Sequence, residues 1–269
     1  MPQASSLPPH VVLRSLLLTT LLLAGLTACD AISKALPRPA ARVNVTIVGG
    51  DGARKDSALE STVLYGKVTI TARSDSAQAA SFYLDDEGAS GEPLLTLSAS
   101  PFTLRLATLS LADGPHTLTL SLMEAGESRL VKVPFIIGNT AFAMLTRVNE
   151  LRSSGYDCGE EGVFAAAPAL GLEARLMRAA QRQADDMNDN NFLEHTGADG
   201  STAAIRVSDA GYSWSRVGEN IASGQKDVAS VVADWAESDH HCVNLMAPQY
   251  SDFGVGRAGL YWVQVFARP

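Results

Sequence analysis

The chain has 269 residues, 46% of them hydrophobic, with a formal net charge of −8 and a pI near 5.1. That length allows about two ordinary domains, and the acidic balance excludes a broad basic footprint for nucleic acid. The acidity concentrates after residue 140, where 17 Asp/Glu stand against 10 Lys/Arg, a charge that steers this half away from phosphate backbones and anionic lipid.

Ser15 to Ala28 reads SLLLTTLLLAGLTA, an apolar run behind Arg14. It falls short of the about 20 residues a transmembrane helix needs and suits a signal-peptide core. The run ends in Leu26-Thr27-Ala28-Cys29, which resembles the lipobox of bacterial lipoproteins. That resemblance implies a lipoprotein signal peptide over residues 1–28, cleavage before Cys29 and acylation there by diacylglycerol and palmitate. The lipid membrane is then a partner through Cys29, and the location is the cell membrane or outer membrane, on the extracytoplasmic side. An ordinary signal peptide cut after Ala28 is the alternative. Two acyl chains give stable anchoring where one is marginal. Residues 29–42, with Pro37 and Pro39, read as a lipidated tether.

From residue 43 to 138 short alternating runs follow one another: Val43–Val48, Val63–Ile70, Ala80–Leu84, Leu94–Leu97, Phe102–Leu106, His116–Leu122 and Leu130–Ile136. Turn clusters such as Asp85-Asp-Glu-Gly88 and Ala112-Asp113-Gly114-Pro115 separate them. About seven strands at this spacing predict an antiparallel sandwich. Ser81-Phe-Tyr-Leu-Asp85, Ser100-Pro-Phe-Thr103 and Leu111–Leu118 resemble bacterial immunoglobulin-like domains, in fold only. The module reads as a spacer or adhesive unit, and its His116 as a strand-start residue rather than a ligand.

Residues 139–269 carry the chemistry. Phe142, Leu145, Val148 and Leu151 predict a helix ending near Gly155. Leu172, Leu176, Ala179, Ala180 and Met187 predict a second, running out at Asn188–Asn191; Val228, Val231, Val232 and Trp235 predict a third. Strands at Phe253–Gly256 and Leu260–Phe266 close the chain, and the mixture predicts an α+β domain. Asp185, Asp186 and Asp189 read as a solvated acidic face. Trp214, Trp235 and Trp262 read as core or cleft wall.

Asn191-Phe-Leu-Glu-His195-Thr-Gly197, Arg206, Gly218-Glu219-Asn220, Trp235-x-x-Ser238-x-x-His241-x-x-Asn244, Gly254-Val-Gly256 and Tyr261–Phe266 occur in that order. Together they resemble the bacterial SCP-like branch of the CAP superfamily (cysteine-rich secretory, antigen 5 and pathogenesis-related proteins) over about residues 142–266. The resemblance implies an α–β–α sandwich CAP domain, preceded here by the all-β immunoglobulin-like sandwich. It also implies a cleft of His195, Glu219 and His241, with Asn220, Ser238 and Asn244 in support. His240 is an off-pattern neighbour. Many eukaryotic members have a second glutamate where this chain has Ser238. Glu237 is one position early, about 100° round a helix, which makes it a marginal candidate for the cleft.

Two imidazoles and a carboxylate approach a zinc site, so His195 and His241 are candidate ligands for zinc or another divalent cation. Glu219 could instead activate water, or simply cap or pack. For Asn244, tying a turn is the favoured role. Cys158 and Cys242 lie outside the family motif. In an exported chain they pair as a disulfide, which closes about 80 residues and is worth about 4–5 kcal/mol by loop entropy; free thiols, or zinc held by Cys242 with His241, are the alternatives. Three functions compete: a binding module for a lipid, peptide or cell-wall fragment, a metal-assisted hydrolase of peptides or wall polymer, and a structural envelope protein with a vestigial cleft. Binding is favoured, because no serine or cysteine is marked as a nucleophile.

Overall fold

A computed structural model describes residues 43–48 and 62–269. The expected signal peptide, Cys29 and the tether lie outside the described residues. The first domain contains β1 (Asn44–Val48), β2 (Val63–Leu64), β3 (Lys67–Arg73), β4 (Ala79–Leu84), β5 (Leu95–Leu97), β6 (Phe102–Ala107), β7 (Gly114–Glu124) and β8 (Glu127–Ile137). They form a sheet β1-β3-β6 and a sheet β2-β8-β7-β4-β5. Alternate residues of both, among them Ile70, Phe82, Phe102, Leu118 and Phe135, enclose one core, which makes a β-sandwich.

The sequence run Val63–Ile70 is two strands rather than one. Val63 and Leu64 pair with β8, whereas Lys67 onward pairs with β1 and β6. Gly66, at φ 69°, makes the crossing between sheets in a left-handed conformation that a side chain would resist. His116 is the third residue of β7. Its Nδ1 lies 2.7 Å from Asp85 Oδ2 and its Nε2 lies 2.8 Å from the Ala112 carbonyl. Burial pulls the His116 pKa down, but those two acceptors outweigh it and the net shift is upward.

The second domain follows without a linker. It comprises α1 (Asn139–Ser154), the short strands β9 (Tyr156–Asp157), β10 (Val163–Phe164) and β11 (Gly171–Leu172), α2 (Ala174–Asn190), α3 (Ala203–Asp209), β12 (Arg216–Ser223), α4 (Val228–Glu237), α5 (Asp239–Met246), β13 (Asp252–Ala258) and β14 (Tyr261–Arg268). Leu172, expected in the second helix, belongs to β11; Glu173 ends the extended segment and caps α2 by accepting from Arg175 N. Asn191 stops that helix in the left-handed region, at φ 53°.

The sheet runs β11-β13-β14-β12. On one face Trp262 and Phe266 pack with α1, α4 and α5; on the other Val263, Val265 and Ala267 pack with α2 and α3. This is an α–β–α sandwich with β12 at one edge. Arg152 of α1, fully buried, braces the first layer. It donates to the carbonyls of Pro168, Leu245 and Ala247, the last two at the negative end of α5. Burial lowers its pKa to about 10, so it stays charged at neutral pH. The Cys158–Cys242 disulfide is formed and ties the loop after β9 to α5.

Gly254 and Gly256 let α2 settle directly on β13, because a Cβ at either would run into the backbone of Leu176–Met177 or Ala180. Helix backbone cannot give way as a side-chain tip can. Gly256→Ala is expected to cost about 1–3 kcal/mol of stability, read as a lower urea midpoint at unchanged slope.

Candidate functional site

The site sits at the edge strand β12, where loops from the two helical layers meet. Successive residues of a strand point to opposite faces, and Gly218-Glu219-Asn220 uses this. Glu219 faces the α2/α3 layer and Asn220 faces α5. Gly218 is on the α5 side as well; a Cβ there would lie 2.9 Å from Asn244 Oδ1 and closer still to Tyr250 Oη. The triplet therefore needs a missing side chain, a carboxylate and an amide in that order.

On the α2/α3 side, Glu219 is buried, its side chain 3% exposed, while that of His195 is 57% exposed. His195 Nδ1 lies 2.9 Å from Glu219 Oε1. The other carboxylate oxygen accepts from Arg206 Nη2 at 2.8 Å. Arg206, on α3 and 1% exposed, also donates to the His195 carbonyl at 3.1 Å and to the Ser201 carbonyl at 2.6 Å. One guanidinium thus holds both the carboxylate and the main chain of the histidine that the carboxylate orients. Asp186, expected to be solvated, braces the same loop, and so does Asp199: Asp186 Oδ2 accepts from Ala198 N at 2.7 Å, and Asp199 pairs with Arg182 and accepts from Ser201 N.

On the other side, buried Asn220 donates to the His241 carbonyl at 3.1 Å and to Gln264 Oε1 at 3.2 Å. The Asn244 amide donates to Asn220 Oδ1 at 2.8 Å and to the Glu219 carbonyl at 3.2 Å. Asn244 therefore ties α5 to β12 rather than closing a turn. His241 is half-buried, with Nδ1 2.9 Å from Ser238 Oγ. Ser238 stands at the junction of α4 and α5, and its hydroxyl serves the imidazole instead of capping α5. Burial first, then the nearby charges of His195 and His240, lower the His241 pKa, so its neutral form dominates at pH 7.

Two residues lie apart from this arrangement. Glu237 lines a groove between α1 and α4 with Arg147 and Glu150. His240 points away to Glu161, at 3.2 Å. Trp235 and Trp262 are core, whereas Trp214 is 41% exposed. The sequence places Arg206 in the ordered set of residues that carries the CAP resemblance but assigns it no part in the cleft; a lone arginine among the apolar residues of Ala-Ala-Ile-Arg-Val is its other signal.

As a metal site the donor set is short. Both oxygens of Glu219 are engaged, which leaves two imidazoles, and among the described residues no three His, Cys, Asp or Glu side chains are grouped to hold an ion. Three protein ligands are usual for a catalytic zinc. The carboxylate stands behind His195, in the position of a partner that orients a ring rather than of a ligand.

Residues 145–266 match the profile of CAP, the cysteine-rich secretory protein family. This region is a CAP domain. Two curated Bacillus subtilis proteins are similar to it: the uncharacterized protein YkwD, 32% identical over 99 residues, and the uncharacterized membrane protein YlbC, 29% identical over 84. These matches take in 36% and 31% of this chain, which spans only 38% and 24% of the lengths of those relatives. Among solved structures, an outer surface protein from Borrelia burgdorferi aligns with 48% of this chain and 92% of its own, at 21% identity and a TM-score of 0.42. An extracellular SCP-domain protein from Bacillus anthracis aligns with 78% of this chain and 88% of its own, at 15% identity and a TM-score of 0.40.

Replacing His195 by Ala removes a nearby charge, so the His241 pKa is expected to rise, measured by NMR titration of the ring protons. Replacing Arg206 by Met strands the buried carboxylate of the CAP domain and is expected to cost about 3–5 kcal/mol in chemical denaturation.

Proposed function

We propose that the protein is an extracytoplasmic binding protein, anchored through lipidated Cys29, whose CAP domain recognises a ligand at His195 and His241. The immunoglobulin-like first domain is read as the spacer. The observation that carries the binding reading is the chain from Arg206 through Glu219 to His195. The buried guanidinium neutralises the carboxylate, and the carboxylate accepts a hydrogen bond from Nδ1–H, which leaves Nε2 of an exposed, oriented ring as the atom offered to a ligand. Neutral His241 supplies a second acceptor or donor beside it. Such a pair suits the hydroxyls, amides and carboxylates of a peptide or cell-wall fragment better than the bare chain of a lipid.

Hydrolysis is the less supported alternative. Glu219 is engaged on both oxygens and cannot act as an independent base without giving up Arg206 or His195. The Ser238 hydroxyl lies at Nδ1 of His241, on the same helical turn. A divalent ion would be held by His195 and His241 alone, with the rest of its coordination from solvent or ligand. The disulfide agrees with an oxidising compartment.

Calorimetric titration of the whole chain with solubilised peptidoglycan fragments, and separately with zinc, tests this. The expected result is saturable binding of a wall fragment, weakened at least tenfold in both His195→Ala and His241→Ala. Zinc binding lost in both variants, together with zinc-dependent cleavage of the fragments, would replace the binding reading with the hydrolase. No binding of any fragment would remove it.

A further inference from the structure

A concavity of about 750 Å³ lies between the β-sandwich and the CAP domain. It shares no lining residue with the site at His195, Glu219 and His241. Its size falls within the range of ligand pockets, roughly 300–1,000 Å³. Pro115 from β7, Pro134 from β8 and Met177 from α2 are among the apolar residues that line it. Asp85, Glu87 and Asp113 of the first domain border it with negative charge; Arg178, Arg182 and Arg257 of the second border it with positive charge, against the single carboxylate of Asp185.

The walls are held in place. Asp113 accepts from the first two main-chain N–H groups of α1, at 2.7 and 2.9 Å, and Tyr65 stacks on Phe142 at 3.9 Å between ring centroids. The groove is thus built before a ligand arrives, which lowers the ordering cost of binding. Its charges are unequally compensated. Asp85 is matched by His116, and Glu87 pairs at the rim with Lys132, where the Glu87 side chain is 64% exposed. Arg257 donates to the carbonyls of Gly259 and Lys226 and lies over Trp262 at 4.1 Å. Among the described residues no carboxylate is bonded to it. A guanidinium presented in this way is a carboxylate receptor.

An acidic border from the first domain and a mainly basic one from the second, with apolar surface between them, match a ligand that has both charges and an apolar middle. We propose that this interdomain groove binds a short peptide with free termini. Its carboxylate goes to Arg257 with Arg178 beside it, its ammonium to Glu87, and its apolar side chains to Pro115, Pro134 and Met177.

The test titrates the full chain with a set of free tripeptides of Ala, Leu and Phe, and with the same peptides acetylated and amidated. Expected is one saturable site for free apolar tripeptides, weakened at least tenfold by capping the C-terminus and by Arg257→Gln. Glu87→Gln, at an exposed position that leaves the fold alone, weakens it several-fold and removes the preference for a free N-terminus. His195→Ala leaves it unchanged. The proposal is overturned if none of the free tripeptides saturates a site, if capped peptides bind equally well, or if binding is lost in His195→Ala and kept in Arg257→Gln.

Discussion

The buried pair of Arg206 and Glu219 is the constraint on which the rest of the site depends. Taking two charges out of water costs several kcal/mol for each, and the attraction between them repays this only when the geometry is good and the remaining hydrogen-bonding groups are engaged. Here both carboxylate oxygens are engaged, and the guanidinium adds the carbonyls of Ser201 and His195, its buried Nε alone lacking a partner among the described residues. The pair therefore works less as an adhesive than as a locating pin. It sets α3, β12 and the loop at residue 195 relative to one another, and the exposed imidazole inherits a fixed direction.

The opposite face of β12 is governed by amides rather than charges. Asn220 and Asn244 bind each other and the main chain of α5 and β12, so His241 is placed through its backbone. The disulfide at the next residue, Cys242, fixes the same turn from outside. Two histidines from different layers are tied to one edge strand because that strand offers a carboxylate to one layer and an amide to the other. The difference in setting has a chemical result: one ring is exposed and bonded to a carboxylate, while the other is half-buried, bonded to a hydroxyl and held neutral.

The two domains form a continuous body over residues 62–269. Gly138, between β8 and α1, donates to the Leu64 carbonyl; across the seam the Thr108 hydroxyl donates to Asn139 Oδ1, and Asn139 Nδ2 donates to the Thr108 carbonyl. Tyr65, just before the crossing at Gly66, supplies the stacking surface for Phe142. A first domain docked in this way presents the CAP domain in one orientation, which a loose linker would not.

Much of this was legible in the residues. Alternating runs marked the sandwich, 3.6-residue periodicity marked α1, α2 and α4, and the CAP resemblance pointed to His195, Glu219 and His241. The short helices α3 and α5 and the strand β12 were not read as elements. Seven or eight residues carry too little periodicity, and α5 begins at once after α4 with only Ser238 between them. Local pattern by itself determined which segments must bury an apolar face. Only the tertiary structure decided that Arg206 stands behind Glu219, that Glu237 and His240 turn away, and that a groove opens between the domains. Those outcomes depend on which side chains lose water together, and that is a property of the packed layers rather than of neighbours along the chain.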